Sequence, residues 1–421
     1  MASQRDEYAG TVVVGGSIAG LATAAALYHM AGVSNVHVLE ISSKDEFETI
    51  EAGAALQLGP NGLRALSAIV GNERMESVLE AGSCLLGTQI LLPGGQIIMK
   101  PDTTEEDTGL PQVLIRWGML RHILKESLTK PRDGVIPPTI FTQVRPITEY
   151  RATPEGSIQL LNAEGGIERE APLIVAADGI RSVFSNMVRT SSTTSNKSLC
   201  NISDNGRVNV KAIVSANICF PEYVQGCTCV FFPPDSTVAC FAGPAGDGYT
   251  YWAFSVADAS VDDGVAERFI LDEETNDLEL IQRKVLERLK SLNIPECQFV
   301  IDLVEATKSE RIYVSRSEET NEIGSSLYSS KIVLVGDAAL AMSASYGQSA
   351  NFALEDAATL GYYVQQASTI DSAMQQYSDA RLQRKEEMGR KSLERVQKHA
   401  KGEATEDVSK WIMQWHPPSR D

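Results

Sequence analysis

The ten residues 11–20, TVVVGGSIAG, decide the fold of this chain. Residues 11–14 are apolar and β-branched, which predicts a buried parallel strand. Residues 18–31 are rich in alanine and leucine and predict a helix, and residues 36–40 predict a second short strand. A strand, a helix and a strand within about 30 residues make a βαβ unit. The chain therefore begins as an α/β protein.

The turn between the first strand and the helix has the glycine spacing of a dinucleotide-binding loop. Gly15 permits a tight turn, and Gly20 allows the helix to pack closely on the strand. Ser17 replaces the middle glycine of the pattern with another small residue. The free N–H groups at the helix start, around Ile18 and Ala19, can bind a pyrophosphate.

A carboxylate stands where such a unit contacts a ribose. Glu40 ends the second predicted strand, 20 residues after Gly20. At this spacing a carboxylate accepts hydrogen bonds from ribose hydroxyls and repels a 2′-phosphate. The first site therefore favours FAD or NAD over NADP.

Composition and charge exclude several classes of function. The chain has 421 residues and a formal net charge of −18, which argues against a nucleic-acid partner because phosphate binding needs clustered Lys and Arg. The seven cysteines form no zinc or disulfide framework, so we expect buried thiols in a reducing compartment and no metal. No signal peptide or integral membrane segment is predicted, and a cytoplasmic enzyme is the expectation.

Further strand-like runs indicate a nucleotide-binding domain that is discontinuous in sequence. They lie at residues 113–115, 173–176 and 331–335, whereas runs such as 227–232 and 249–255 alternate like a sheet with one covered face. The predicted segments are 1–80, 81–185 (with strands of the second domain near 84–100) and 330–365 for the nucleotide-binding domain, 186–329 for a β-rich substrate domain, and 366–421 for a C-terminal helical segment.

The C-terminal segment is basic over part of its length. Residues 381–401 contain eight Lys or Arg and three Glu, in a stretch that is predicted to be helical. Such a helix could contact a membrane or a partner, but a solvated helix face is the simpler interpretation.

Three further motifs follow in order along the chain, and they decide the class. They are GAALQLGPN at 53–61, ADGIRS at 177–182, and GDAA at 336–339, the last continued by GQSAN at 347–351 and by EDA at 355–357. Together with the first loop they resemble the para-hydroxybenzoate hydroxylase-like FAD monooxygenases (class A flavoproteins), particularly those of fungal secondary metabolism. Arg116 matches the arginine that follows the third strand of that family, and its closing helix is matched by Tyr377, Arg381 and Arg384.

The resemblance implies an α/β fold, with a discontinuous FAD-binding dinucleotide (Rossmann-like) domain, a β-rich substrate domain and C-terminal helices. In such a fold Asp337 can accept a hydrogen bond from a ribityl hydroxyl. A helix that begins near Gln348 would aim its N–H groups at the flavin pyrimidine. The predicted cofactor-binding residues are Gly15, Ser17, Ile18, Ala19, Gly20, Glu40, Ala54, Arg116, Asp178, Asp337, Gly347, Ser349, Ala350 and Asn351.

The resemblance also implies a reaction. NADPH or NADH reduces FAD, and one oxygen atom of dioxygen enters an aromatic, indole or polycyclic natural product by hydroxylation or epoxidation. Secondary-metabolite biosynthesis is the expected context. The expected partners are a small-molecule substrate and dioxygen, and the enzyme would be a monomer or a homodimer. No residue pattern distinguishes NADPH from NADH.

The chain departs from the family at several positions. Leu340, Ala341, Ala344 and Ser349 replace a histidine, two prolines and a glycine. Ser185 stands where many fungal relatives have a substrate-contacting arginine, and residues 208–212 lack the corresponding tyrosine. An FAD-dependent oxidase or dehydrogenase, or a flavin-bound cyclase or isomerase, is therefore the alternative. A flavin-binding scaffold without turnover is a third hypothesis.

Two residues are candidates for catalysis. Tyr346 precedes Gly347 and could donate a hydrogen bond to the substrate, or it could simply pack against the flavin ring. Arg181 could neutralise an anionic substrate or an NADPH phosphate, or it could form a surface salt bridge. None of the five histidines lies in a motif loop, so a histidine base is not expected.

Overall fold

The computed structural model describes most of the chain. The described residues are 6–51, 53–92, 96–190, 202–215, 225–231, 238–257, 277–320, 323–342, 347–400 and 408–419.

The strands in these ranges are β1 (Val12–Val14), β2 (His37–Leu39), β3 (Ala55–Leu58), β4 (Ser83–Cys84), β5 (Gly87–Leu91), β6 (Ile97–Pro101), β7 (Val113–Arg116), β8 (Thr139–Phe141), β9 (Ile147–Ala152), β10 (Ile158–Asn162), β11 (Ile167–Ala171), β12 (Ile174–Ala176), β13 (Ile202–Ser215), β14 (Cys227–Phe231), β15 (Val238–Pro244), β16 (Tyr249–Ala257), β17 (Tyr313–Thr320), β18 (Tyr328–Ser329) and β19 (Ile332–Leu334).

The helices are α1 (Ile18–Ala25), α2 (Lys44–Glu48), α3 (Pro60–Val70), α4 (Asn72–Ala81), α5 (Thr104–Thr108), α6 (Trp117–Ser127), α7 (Ser185–Thr190), α8 (Leu278–Ser291), α9 (Gln298–Ala306), α10 (Ser349–Gln366), α11 (Ile370–Ala400) and α12 (Ser409–Met413).

A six-stranded sheet in the order β18-β19-β12-β1-β2-β8 forms the centre of the first half of the molecule. Its strands are parallel apart from the antiparallel pair β18 and β19. Val13 of β1 lies between Val38 and Val175 of the neighbouring strands. The predicted strands at 11–14, 36–40, 173–176 and 331–335 all join this sheet, so the predicted discontinuity is confirmed. The segment boundaries stay predictions.

The first helix occupies the predicted range with one change of geometry. It is α-helical over Ile18–Ala25 and continues as a π-helix over Ala26–Ala31. Gly32, with φ at 70°, ends it in the left-handed conformation. Its residues are mostly buried because small side chains let the helix pack closely against its neighbours.

The predicted strand at 113–115 exists but lies in a different sheet from the one expected. β7 pairs antiparallel with β3 and β4 in a small three-stranded sheet. All four of its residues are buried. A short apolar run has the same appearance in a parallel and in an antiparallel sheet when both faces are covered, which explains the error.

A seven-stranded sheet in the order β17-β13-β16-β15-β14-β5-β6 forms the second half. It contains the predicted runs at 227–232, of which 227–231 are described, and at 249–255, and the strands near 84–100 join it as β5 and β6. On one face Val210, Trp252 and Phe254 pack with Val285 of α8 and Leu303 of α9 in a core of their own.

The C-terminal segment is helical, but its basic residues are not all solvated. Arg381 and Lys385 of α11 are buried, and they pair with the buried carboxylates of Glu355 and Asp356 on α10. The expectation of a solvated basic face is therefore wrong for this part of α11. A charge count along the chain cannot show that opposite charges on a neighbouring helix come to meet it.

Four of the cysteines that the structure describes are buried as expected, namely Cys227, Cys229, Cys240 and Cys297, whereas Cys84 is exposed. Among the described residues there is no helix with the length and apolar character needed to span a membrane.

Candidate cofactor site

The loop after β1 is as compact as glycine allows. Gly15 has φ at 103°, and a Cβ there would lie 2.4 Å from the carbonyl oxygen of Ala177. A Cβ at Gly20 would lie 1.8 Å from the carbonyl oxygen of Gly15. Ser17 is the N-cap of α1 and makes no capping hydrogen bond with its side chain. The N–H groups of the first turn, which includes Ile18, therefore stay available for an anion.

Glu40 lies beside this loop and is oriented by three hydrogen bonds. One carboxylate oxygen accepts from the Gly16 N–H at 2.9 Å. The other accepts from the N–H of Ser42 at 2.8 Å and from its hydroxyl at 2.6 Å. Because a carboxylate has about four acceptor positions, one remains for a ribose hydroxyl.

Asp178 follows β12, the strand next to β1, and has an unsatisfied buried atom. Its Oδ1 is buried and has no hydrogen-bond partner among the described residues. Burial raises the pKa of the Asp178 carboxyl to about 6, although hydrogen bonds from Ser182 and from backbone N–H groups oppose the shift. A buried acceptor without a donor is rare in folded proteins, so this oxygen fits a hydroxyl of a bound molecule.

Asp337 lies in the turn after β19, on the other side of β12. The side chain is exposed, yet desolvation by the surrounding protein raises the pKa of its carboxyl, with Lys385 opposing the shift and Asp356 adding to it. The Asp337 carboxyl thus reaches solvent while the protein around it disfavours its charge. A Cβ at the preceding Gly336 would lie 2.7 Å from the Cβ of Ala19, so this turn contacts the start of α1.

The backbone of Gly336 is held from both sides by a buried ion pair. Its N–H donates to Oδ2 of Asp356 at 2.8 Å, and its carbonyl accepts from Nζ of Lys385 at 3.4 Å. Lys385 and Asp356 are themselves 2.8 Å apart, and Arg381 binds the other oxygen of Asp356 at 2.8 Å. Asp337 is thus positioned by α10 and α11. Sequence reasoning missed Lys385, although its place four residues after Arg381 is on the same helix face.

A second buried carboxylate joins three helices. Glu355 of α10 binds Arg381 at 2.7 Å, Arg384 at 2.7 and 2.8 Å, and the Asn61 amide of α3 at 2.7 Å. Burial alone would raise the pKa of Glu355, but the two guanidinium groups hold it below its ordinary value. The cluster fixes the start of α3 relative to α10.

The N-terminus of α10 faces the same region. The helix begins at Ser349, after Gly347 with φ at 64°, and the side chain of its N-cap residue Gln348 makes no capping hydrogen bond. The Asn351 side chain accepts from the Gly59 N–H at 2.9 Å and donates to the carbonyl of Gln57 at 2.9 Å. Because this amide is used within the protein, Asn351, like Ser349 and Ala350, can contact a cofactor through its backbone N–H.

Arg116 and Ala54 lie where the two halves of the molecule meet. Arg116 is buried at the end of β7, forms an ion pair with Asp247, and stacks 4.3 Å from the ring centroid of Tyr249. Its Nε has no partner among the described residues. The carbonyl of Ala54 accepts from the Trp117 N–H at 2.7 Å, which holds the 53–55 loop against α6.

Of the two catalytic candidates, the structure describes Arg181 and not Tyr346. Arg181 is 71% exposed and forms a salt bridge of 2.5 Å with Glu318 of β17, so its charge is already paired on the surface. A catalytic role for Arg181 stays a prediction. Tyr346 lies outside the described residues, as does Ala344.

The glycine loop, Glu40, Asp178 and Asp337 all follow parallel strands, so they meet at the carboxyl edge of one sheet, the usual ligand position in open α/β sheets. This sheet, together with the seven-stranded sheet and the C-terminal helices, gives the chain a fold similar to that of solved proteins that contain FAD.

Three solved structures show the likeness. Klebsiella pneumoniae HpxO, solved with FAD and uric acid, is 21% identical with a TM-score of 0.71, over 92% of this chain and 87% of HpxO. CtdE, solved with FAD and a substrate, is 15% identical with a TM-score of 0.73, over 97% and 95%. A Photorhabdus luminescens protein described as an FAD-containing monooxygenase is 18% identical with a TM-score of 0.65, over 93% and 98%. No protein-family model and no curated protein sequence matches the chain.

Proposed function

We propose that this protein is an FAD-dependent monooxygenase that inserts one oxygen atom of dioxygen into an aromatic, indole or polycyclic natural product. The observation that carries the proposal is the buried Oδ1 of Asp178, which no described residue pairs, beside the compact glycine loop. Both features fit a dinucleotide with hydroxyl groups, and the fold is one in which solved structures contain FAD.

Each part of the site has a binding task in this proposal. The start of α1 holds the pyrophosphate, and Glu40 accepts from the adenosine ribose. Asp337 and Asp178 accept from hydroxyls of the cofactor, and Arg116 closes the site at the boundary with the seven-stranded sheet. Bound FAD would supply the electron transfer and the reaction with dioxygen.

The start of α10 has an electrostatic task. Its first-turn N–H groups carry a partial positive charge, which favours negative charge on a ring bound in front of them. Ser349, Ala350 and Asn351 supply these groups, and the buried Glu355 cluster keeps α10 in place. These backbone N–H groups would stabilise an electron-rich ring bound in front of them.

NADPH or NADH would be the reductant, and secondary-metabolite biosynthesis in the cytoplasm would be the context. We further propose a monomer or a homodimer. These assignments rest on the family resemblance of the four ordered motifs.

The test is a rapid-mixing experiment with the purified protein. The purified protein should contain FAD. Its flavin absorbance should fall on anaerobic mixing with NADPH or NADH and recover when oxygen is added. When the dioxygen is isotopically labelled, one labelled oxygen atom should then appear in the product of an aromatic substrate that the enzyme converts. A flavin that neither nicotinamide reduces would contradict the proposal.

One observation favours a second candidate, an FAD-binding oxidase or a flavin-bound cyclase or isomerase. Leu340 is buried, and a Cβ at Gly389 of α11 would lie 3.3 Å from it, so the residue that replaces the family histidine serves packing. Conversion of a substrate without incorporation of labelled oxygen would establish this candidate.

A further inference from the structure

The seven-stranded sheet has a second face that the α8 and α9 core does not cover. On this face Lys211 of β13 lies beside Ala253 of β16, which lies beside Phe241 of β15. Gly243 is two residues from Phe241 on the same face, and a Cβ there would lie 3.0 Å from Cδ2 of Leu114 in β7. The face is therefore turned toward the nucleotide-binding half.

Lys211 is a cation of this face, and no residue that the structure describes supplies it with a counter-charge. Its side chain is half-buried, and it makes no hydrogen bond or ion pair with any residue that the structure describes. Nζ lies 5.1 Å from the ring centroid of Tyr313, the neighbour of Lys211 in β17. Burial lowers the pKa of the Lys211 ammonium below its ordinary value. A poorly hydrated ammonium without a carboxylate is costly, and an anion would offset that cost.

Aromatic side chains flank Lys211. The rings of Phe241 and Tyr251 are 5.6 Å apart, and Tyr251 is a diagonal neighbour of Lys211 across β13 and β16. Burial raises the pKa of the Tyr251 hydroxyl, which makes no hydrogen bond with the described part of the chain. The face thus combines two aromatic rings inclined at 54° to each other, a neutral hydroxyl, and a cation that pairs with no carboxylate of the described residues.

We propose that Lys211 anchors the substrate, and that the substrate is a planar conjugated molecule with an acidic oxygen, such as a carboxylate, phenolate or enolate. The anion pairs with the Lys211 ammonium, the ring system lies against Phe241 and Tyr251, and the Tyr251 hydroxyl donates to a polar group. The inference rests on the proposed function and names the substrate class of that site.

The test compares two probes of the same shape and different charge. Affinities of 2-naphthoate and 2-naphthamide are measured by calorimetry with the FAD-loaded protein. We expect the wild type to bind the carboxylate about tenfold more tightly than the amide, because a hydrogen bond to a charged group is the stronger one. Lys211→Met should remove the preference, and Lys211→Arg should keep most of it. Lys100→Met, at an exposed lysine of β6, should leave it unchanged.

Circular dichroism and thermal unfolding show whether each variant is folded. Failure of the wild type to bind 2-naphthoate, equal affinity for both probes, or an unchanged preference in Lys211→Met would overturn the inference. The same titrations on protein without FAD separate it from the proposed function. Absence of bound flavin contradicts the monooxygenase, whereas a Lys211-dependent charge preference supports the anion site independently.

Discussion

At the residue scale, the site depends on carboxylates whose ionisation is changed by their surroundings. One oxygen of Asp178 has no partner among the described residues, Glu355 is paired with two arginines, and Asp337 reaches solvent while the protein around it disfavours its charge. In the sequence these three residues differ little, since each has a carboxyl side chain. Their different roles arise from the groups around them.

Asp178→Asn should change the pH dependence of stability in the protein without FAD. Burial raises the pKa of Asp178 from 3.8 to about 6, so the folded state disfavours ionisation. The resulting cost is absent below about pH 4, grows as pH rises to 6, and is constant above. The variant should therefore be more stable than the wild type at pH 7.5, by on the order of 2–3 kcal/mol, and similar at pH 4. Urea unfolding at both pH values measures this, and a gain that is equal at both would contradict it.

Asp337→Ala should release FAD because it removes a hydrogen-bond acceptor at the carboxyl edge of the parallel sheet, where we propose that the cofactor binds. Flavin absorbance after gel filtration measures the cofactor that is retained. Asp133→Asn is the matched control at an exposed acid and should retain FAD. A fully loaded Asp337→Ala protein would show that the cofactor lies elsewhere.

Ser17→Gly tests the loop position that departs from the glycine pattern. Because Ser17 makes no capping hydrogen bond, glycine should leave FAD binding unchanged or tighten it. Gly20→Ala should reduce both FAD binding and stability, the latter by about 3 kcal/mol, since its Cβ would overlap the Gly15 carbonyl. Equal FAD affinity and equal unfolding free energy in the two variants would contradict the assigned packing.

At the element scale, α10 and α11 position the strand ends through buried charge. Asp356 and Lys385 hold both backbone groups of Gly336, and Tyr377 donates to the carbonyl of Leu334 at 2.9 Å. The C-terminal helices therefore act on the turn that carries Asp337. Asp356 and Lys385 are 20 and 49 residues from Gly336 in the sequence, and only the fold brings them to this turn.

Lys385→Met should destabilise the protein by about 3–5 kcal/mol because it leaves part of a buried charge network unpaired. It should also weaken FAD binding most strongly at low pH, since Lys385 opposes the raised pKa of Asp337. Lys290→Met removes an exposed ion pair with Glu305 and should cost at most about 1 kcal/mol. Chemical unfolding and flavin titration between pH 6 and 8 measure both effects. A Lys385 variant that behaves like the Lys290 control would contradict the role of Lys385 in holding Gly336 and Asp337.

At the scale of the whole molecule, the cofactor is expected to join the two halves. Arg116 pairs with Asp247, and the Tyr249 hydroxyl donates to Glu51 at 2.9 Å, so the sheets already meet beside the site. Removal of FAD should lower the unfolding free energy, because a ligand at 100 times its Kd stabilises by about 2.7 kcal/mol. Calorimetric scans at increasing FAD concentration should show a rising Tm. A Tm independent of FAD would contradict binding to the folded state.

The sequence by itself determined the α/β class, the βαβ unit at residues 11–40 and the discontinuous nucleotide-binding domain. These features are local, since strand alternation, helix periodicity and glycine spacing act over a few residues. The positions of Glu40, Asp178 and Asp337 could also be predicted, because residues that follow parallel strands meet at one edge.

Only the tertiary structure decided the rest. It placed β7 in an antiparallel sheet, paired Arg181 with Glu318, buried Lys385 against Asp356, and placed Lys211 where no described residue supplies a counter-charge. Whether a charge is paired, solvated or isolated depends on residues tens to hundreds of positions away. Electrostatic energy depends on distance and burial in space, and a linear sequence contains neither.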